Sequence, residues 1–356
     1  MTVLVTGACG FVGATIVHEL AGRGGYRLVG CDSFVRPGSE RNRATLRQLG
    51  VRFVHADVRC SSDVDGLPTA DVVIDAAANP SVVAGIDGAV ASRQLVEHNL
   101  LGTVNLLEYC RRHRAAFVLL STSRVYAIEP LASLPLDVVD GAFRPVETAS
   151  FPAGLSARGI DETFSTAPPV SLYGATKVAA EQLALEYGSA FGFPVWVNRC
   201  GVLAGPGQFG RADQGIFSYW IAAWIAERRL RYLGFGGTGH QVRDCLHPAD
   251  LVPLLVAQIE AGLASDKPRI VNVGGGVESA RSLAQLSAWC ARRFGPREVV
   301  SDGTERPFDL PWVVLDNALA SRTWGWGPRI TVDAVLEAIA AHAAANPNWT
   351  VMAEGG

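Results

Sequence analysis

Up to Asn198, apolar residues fall into short, nearly continuous runs, separated by stretches in which they recur every three or four positions. The runs Thr2–Thr6, Arg27–Cys31, Val51–His55, Val72–Ala76, Phe117–Leu120 and Val195–Asn198 predict strands covered on both faces. The intervals carry helical patterns. One ends near Arg23, the longest runs from about Ala89 to Arg112, and another spans Tyr173 to Phe191. Strand–helix alternation of this kind predicts an α/β fold built on a doubly wound parallel sheet. After Arg199 the texture changes to Gly-rich loops, a Trp-bearing helix from Ile216 to Arg228 and shorter strands, which predict a smaller interleaved lobe. Pro248–Ile259 reads as a helix returning to the sheet, and Ala340–Ala345 as a late helix before a fraying end. The expected division is residues 1–198, rejoined by 240–265, for the larger domain, and 199–239 with 266–346 for the smaller. No linker separates them, so the chain is expected to weave between lobes, with a site in the crevice at the strand ends.

Gly7-Ala8-Cys9-Gly10-Phe11-Val12-Gly13 stands between the first strand and the first helix. A GxxGxxG alone is weak in a chain rich in glycine. Here Gly7 permits the tight turn, Gly10 lets backbone approach a pyrophosphate, and Gly13 lets helix pack on sheet, with the helix N-terminus facing the phosphates. Asp32 closes the second strand, where a carboxylate accepts from a ribose 2'-hydroxyl and repels a 2'-phosphate. The pattern makes the large domain Rossmann-type and predicts NAD over NADP, although Arg36 is close by. Asp57, after the third strand, has two readings: an adenine contact or a strand-end cap.

Composition narrows the class. The chain has 356 residues, 49% of them apolar, and a net charge of -3, with no basic run suited to nucleic acid. No apolar stretch reaches membrane-spanning length, and the opening residues read as a strand rather than a signal peptide. Seven scattered cysteines without a CxxC pair suggest free thiols in a reducing cytoplasm and no metal site. Of 31 basic residues only Lys177 and Lys267 are lysines. Lys177 closes Tyr173-Gly174-Ala175-Thr176-Lys177, one helical turn from Tyr173 on the same face. A lysine offers a compact, tunable charge where arginine does not. A cation beside the phenol is expected to lower its pKa from about 10 and let it trade protons near neutrality.

Ser121-Thr122-Ser123-Arg124-Val125-Tyr126 follows the fifth strand, at the sheet end that faces a cofactor. Thr122 can hydrogen-bond a substrate hydroxyl beside the Tyr173 phenol, and the three residues Thr122, Tyr173 and Lys177 then form a hydride-transfer set. Asn99, inside the long helix, is expected to support that set through backbone or water contacts.

Together these motifs resemble the extended short-chain dehydrogenase/reductase family of nucleotide-sugar enzymes. The likeness runs from the glycine loop through Asn99-Leu100-Leu101-Gly102-Thr103-Val104-Asn105-Leu106-Leu107-Glu108 to Trp324-Gly325-Trp326. It implies catalytic roles for Thr122, Tyr173 and Lys177 and a tightly bound, recycled NAD. It also implies cofactor contacts from Gly7, Cys9, Gly10, Phe11, Val12, Asp32, Asp57, Val58, Ala76, Ala77 and Asn99. It further implies a homodimer formed through the two long helices. Within the family the chain is most similar to 2-epimerases of CDP-hexoses. That likeness rests on the cysteine in the glycine loop and on the long interval from Tyr126 to Tyr173 with Gly159-Ile160-Asp161-Glu162. It rests also on Gly207-Gln208-Phe209 with Asp213-Gln214-Gly215, and on the stretch from Gly239 to His247. The resemblance implies substrate contacts from Ser123, Arg124, Arg199, Gln208, Gln214, Arg243 and Arg306. Arg243 and Arg306 are read either as diphosphate forks or as surface ion pairs.

Departures from the family pattern also appear. Ser123 and Arg124 stand where sugar 4,6-dehydratases carry an acidic pair. Asp75 replaces a histidine, Ala127 a glycine, and Val202 and Ala204 stand where relatives carry Asn or Ser and Tyr near the sugar diphosphate. Rival readings are 4-epimerisation, net oxidation or reduction of a nucleotide sugar, an atypical small substrate, and an NAD-sensing binding protein. The presence of both Tyr173 and Lys177 weighs against the last. Trp220 and Trp224 are read as core of the smaller lobe rather than as stacking partners for a base.

Overall fold

Seven parallel strands form the central sheet, in the spatial order Ile270–Val273, Val195–Cys200, Ala116–Thr122, Val72–Asp75, Thr2–Thr6, Arg27–Asp32 and Arg52–His55. The computed structural model describes the whole chain except residues 84, 87–90, 147–149, 212–213, 264 and 353–356 and the side chains of 350–352. The interior strands are apolar on both faces because both are covered, which is why they read as runs rather than alternations. Val3 and Val5 pack with Ile16, Val17 and Leu20 of helix Phe11–Arg23 and with Leu251, Val252 and Leu255 of helix Leu251–Ala261. Leu4, between them, faces the opposite layer with Phe117, Leu106, Leu107, Ala180 and Ala184.

Strand order reverses between Thr2–Thr6 and Val72–Asp75, and the crevice outside the carboxyl ends of such strands is where ligands bind. The first strand pairs with both neighbours in continuous register, Val5 beside Gly30 on one side and Ile74 on the other.

Two expected boundaries move. Ile270–Val273, expected in the smaller lobe, pairs with Val197–Cys200 and becomes the edge of the large sheet. Val242–Leu246, expected with the large domain, is the centre of a second sheet, flanked by Val202–Leu203, Ala280–Ser282 and Trp312–Val313. Short apolar strands look alike in sequence; which sheet they join depends on partners dozens of residues away. Helix Ile216–Ile225 packs with helices Leu283–Phe294 and Val332–Ala345, and Trp220 and Trp224 lie buried in that lobe's core. Trp324 stands edge-on to Trp196, with the Lys267 ammonium 4.1 Å above its ring.

The long helix is interrupted. Its expected start at Ala89 lies outside the described residues; Ser92–Val96 and Gly102–His113 are α-helical, joined by a π-turn at Glu97–Leu101. Such a turn inserts a residue and re-aims a side chain. Here it holds Asn99. Among the described residues no helix is long and apolar enough to cross a membrane.

Candidate active site

The glycine loop is shaped by close approach. Gly7 has φ of +59°, and a Cβ on Gly13 would come 2.1 Å from the Gly7 carbonyl oxygen. Gly10 caps helix Phe11–Arg23 with no side-chain hydrogen bond to its first turn, and that turn holds no acidic residue. The amides there face a cavity of about 1350 Å³ lined by Gly7, Cys9, Gly10, Phe11 and Val12. An open helix N-terminus at a strand switch point fits a dinucleotide pyrophosphate. Asn42, which sequence reasoning missed, fixes the loop by donating to the Cys9 carbonyl at 2.9 Å.

Asp32 accepts from the Cys9 amide at 2.9 Å and from the Phe34 amide at 2.8 Å, so its carboxylate is held beside the loop. Arg36 turns away from it. It donates to the Gln214 side chain and, at 3.0 Å, to the Phe209 carbonyl, tying the first lobe to the loop of the second. Ala76 lines the cavity, while the Ala77 amide donates to the Thr6 hydroxyl at 3.1 Å. Asp57 pairs with Arg59 at 2.6 Å and accepts from the Arg59 amide, the geometry of a strand-end cap. Val58 packs at Gly102, behind the cleft.

Tyr173 lies in helix Ser171–Phe191, which approaches the loop after the fifth strand so closely that a Cβ on Gly174 would meet the Arg124 carbonyl oxygen at 2.3 Å. The Tyr173 phenol shares a hydrogen bond with the Thr122 hydroxyl, which accepts from the Arg124 amide at 3.2 Å. Both residues, with Ser123, line the cofactor cavity. Burial pushes the phenol up to about 12; the Thr122 hydrogen bond and the Arg124 charge pull the other way. Lys177, expected to lower the phenol's pKa, is not among the groups that act on it; the charges engaging that ammonium are others. Burial lowers its pKa, opposed by the Asp75 and Glu181 carboxylates and by Cys200.

Asp75 is buried, accepts from Thr6 at 2.7 Å and from Thr103 at 3.2 Å, and is itself pushed up by burial. Asn99 accepts from the Asn79 amide at 2.8 Å and donates to the Asn79 carbonyl at 3.0 Å and to Thr176 at 3.3 Å. It therefore clamps the loop after the fourth strand to the turn that carries Lys177.

A second cavity of about 800 Å³ adjoins the first, and Val82, Arg124, Val202, Gln214 and Gly215 line both. Its wall carries Arg124, Arg243, Arg281 and Arg306, with Asp309 bound to Arg243 at 2.6 Å. Burial and the neighbouring Arg243 push Arg124 down to about 10, and burial lowers Arg243 also. Arg281 was not anticipated; it lies directly across an antiparallel pair from Arg243, a placement invisible without the register. Asp309 is the single carboxylate among the described residues lining the two cavities.

Two expected substrate contacts, and one departure from the family pattern, are placed differently by the structure. Arg199 lines neither cavity, because its guanidinium is bound to buried Glu181. Gln208 lines the cofactor cavity, yet its side chain donates to the Leu203 carbonyl and accepts from Ser218, stapling its own loop. Ala204 is fully buried in the core of the smaller lobe, leaving Val202 alone of that pair at the cavities. Asp213 lies outside the described residues.

Comparison with known proteins agrees with this layout. The chain matches the family described as Epimerase, the NAD dependent epimerase/dehydratase family, over residues 3–274. It is 29% identical to the CDP-paratose 2-epimerase of Salmonella typhi over 299 residues, covering 80% of this chain and 82% of that protein. It is 28% identical to the dTDP-glucose 4,6-dehydratase of Streptomyces niveus, over 95% of this chain and 92% of the relative. The fold superposes with a TM-score of 0.76 on the UDP-glucuronic acid 4-epimerase of Bacillus cereus solved with UDP-glucuronic acid and NAD. The two are 24% identical and the match covers 97% and 99% of the chains.

Proposed function

Because the chain belongs to the NAD dependent epimerase/dehydratase family, we propose that it is an epimerase of a nucleotide-activated sugar that inverts C2 of a CDP-hexose through a 2-keto intermediate. The observation that carries epimerisation over dehydration is the lining of the two cavities. Elimination of water needs a group to protonate the departing hydroxyl. The single carboxylate among the described lining residues is Asp309, already held by Arg243.

The loop Gly7–Val12 and Asp32 would hold NAD, which when bound supplies a hydride acceptor and donor for the sugar carbon. Tyr173, as phenolate, takes the hydroxyl proton as the carbon becomes a carbonyl, and returns that proton once the other face has been reduced. Thr122 orients the hydroxyl. Lys177, kept cationic against burial by the Asp75 and Glu181 charges, would hold the nicotinamide ribose. Arg243 and Arg306 would grip the diphosphate, so that binding energy from the nucleotide retains the keto sugar while it turns. The choice of C2 and of CDP is supported by the likeness of the segments around Gln208 and His240 and by the Salmonella relative.

The test is proton NMR of the protein incubated with CDP-paratose and CDP-glucose, with NAD in catalytic amount. A new sugar spin system with an inverted C2 coupling and no accumulated NADH is expected. No change in either sugar, from protein shown to bind NAD, refutes the C2 and CDP reading. A second reading, inversion at C4 of a UDP-sugar, is supported by the fold's likeness to the Bacillus enzyme. The position of the inverted centre in the product separates the two. Seven free cysteines support a cytoplasmic site of action.

A further inference from the structure

Two loops from different lobes meet across the cofactor cavity. Arg36 and Ser39 line it from the loop that follows strand Arg27–Asp32; Phe209, Gln214 and Gly215 line it from the loop that precedes helix Ile216–Ile225. One side chain joins them. Nη1 of Arg36 donates to the Gln214 side-chain oxygen and Nη2 to the Phe209 carbonyl at 3.0 Å, so the planar guanidinium holds two points of the facing loop. A fork of this kind fixes direction as well as distance, which the point charge of an ammonium does not. Close packing seats the contact. Gly38 is buried with φ of +92°, and a Cβ there would stand 2.5 Å from the Phe209 ring.

Each side has its own internal support. The Ser39 hydroxyl donates to the Arg36 carbonyl at 2.7 Å, and the Glu40 carboxylate accepts from the Gly38 amide at 2.8 Å, which sets the turn that carries Arg36. Opposite, Arg211 and Gln214 exchange backbone hydrogen bonds of 2.6 and 3.1 Å. Gly210 lies so close to the start of the helix that a Cβ would meet the Tyr219 amide nitrogen at 2.4 Å. Because each turn is closed by its own hydrogen bonds, the fork can open without unfolding either wall.

We infer that Arg36 is a strap across the cofactor cavity: its fork to Gln214 and Phe209 ties the two walls together, and the dinucleotide leaves only when the fork opens. Release is then governed by that opening step. A phosphate contact is the plain alternative for an arginine in such a cavity, but here both terminal nitrogens are engaged by the facing loop. An enzyme that returns the hydride it has taken must keep the reduced cofactor between the two transfers. The use of the strap therefore rests on the epimerase reading above, while its action on the cofactor does not depend on the sugar.

The experiment is stopped-flow displacement of bound NADH by excess NAD, followed by nicotinamide fluorescence. It compares the wild type with Arg36→Lys, Arg36→Met, Gln214→Leu and the double variant of Arg36→Met with Gln214→Leu. Loss of the charge-assisted fork should speed release by about tenfold or more. Arg36→Lys should match Arg36→Met, because lysine keeps the charge and loses the fork. The double variant should release no faster than the faster single one, since both remove the same contact. Every variant should take up NADH with the wild-type stoichiometry and at no lower association rate, which shows that it is folded. Unchanged release in Arg36→Met or Gln214→Leu, or slow release kept by Arg36→Lys, would overturn the strap. So would effects that multiply in the double variant, because each side chain would then hold the cofactor independently. The assay contains no sugar, so its failure and a failure of the NMR test are distinct.

Discussion

Arg199 sets its guanidinium against both carboxylate oxygens of Glu181, with Nη2 2.7 Å from Oε2 and Nε 3.2 and 3.1 Å from the two oxygens. The side chains are 7% and 3% exposed. Glu181 lies one helical turn beyond Lys177, and Ser121 also donates to it. The pair therefore joins helix Ser171–Phe191 to the end of strand Val195–Cys200. Removing one partner of a buried pair strands the other charge, at a cost of about 3–5 kcal/mol. Arg199→Ala should lower the unfolding free energy by about that amount in urea, with little change in KM for the protein that remains folded. A variant of normal stability with weakened substrate binding would contradict this.

The Tyr173 phenol, raised to about 12 by burial, is protonated through neutral pH in the free protein. A positive charge beside a phenol favours the ionised form. Difference titration against Tyr173→Phe should give a midpoint above 10 without cofactor and a lower one on adding oxidised NAD. Tyr173→Phe itself should lose turnover by at least about a thousandfold and still bind NAD, as read by fluorescence titration.

Asp32 binds one amide of the cofactor loop, that of Cys9, and the Phe34 amide just beyond its own strand, while Arg36 is committed to Gln214 and Phe209. Asp32→Asn should keep the amide contacts and remove the charge that repels a 2'-phosphate. The ratio of NADP to NAD dissociation constants should fall by about tenfold, corresponding to roughly 1.4 kcal/mol. A ratio that stays unchanged would show that loop shape, not the carboxylate, selects the cofactor.

Asp244 lies in the second sheet, its carboxylate filling the space beside Gly201 and Gly274. Burial raises its pKa from 3.8 to about 6, against hydrogen bonds from the amides of Leu315, Gly276 and Val202. The folded state therefore holds this proton more tightly than the unfolded chain. The group's contribution to stability is full below pH 3.8 and is lost as pH rises through 6. At about 1.4 kcal/mol per unit, the loss is about 3 kcal/mol. The stability of the wild type minus that of Asp244→Asn, from urea midpoints, should fall by that amount between a pH below 3.8 and neutral pH.

The helices flanking the site leave apolar side chains outside. Val96, Leu101 and Phe191 are 43%, 43% and 46% exposed. A homodimer through these helices would cover them. Light scattering should give about twice 37.7 kDa for the wild type, and Leu101→Glu with Phe191→Glu should give the monomer mass.

Much of the site was legible because its signals are local. A glycine loop between a strand and a helix, an acid at the next strand end, and a Tyr and Lys one turn apart each need only neighbours in sequence. Side-chain roles that depend on distant partners were not legible. Asp57 is taken by Arg59 only two residues away, yet the choice between cap and cofactor contact depended on where the loop turned. Arg199 and Glu181 are 18 positions apart, and no periodicity says that they meet.

By itself, the sequence determined the parallel sheet and the cofactor end of the crevice, and it set Tyr173 and Lys177 one helical turn apart. Hydrophobic period and backbone freedom act over a few residues and leave their mark there. Only the tertiary structure decided which arginines face the second cavity and which are spent on internal pairs. Those outcomes depend on strand register and on the meeting of two lobes. Buried charge is governed by distance in space, and four guanidiniums from strands and loops far apart in the chain share one wall only after folding.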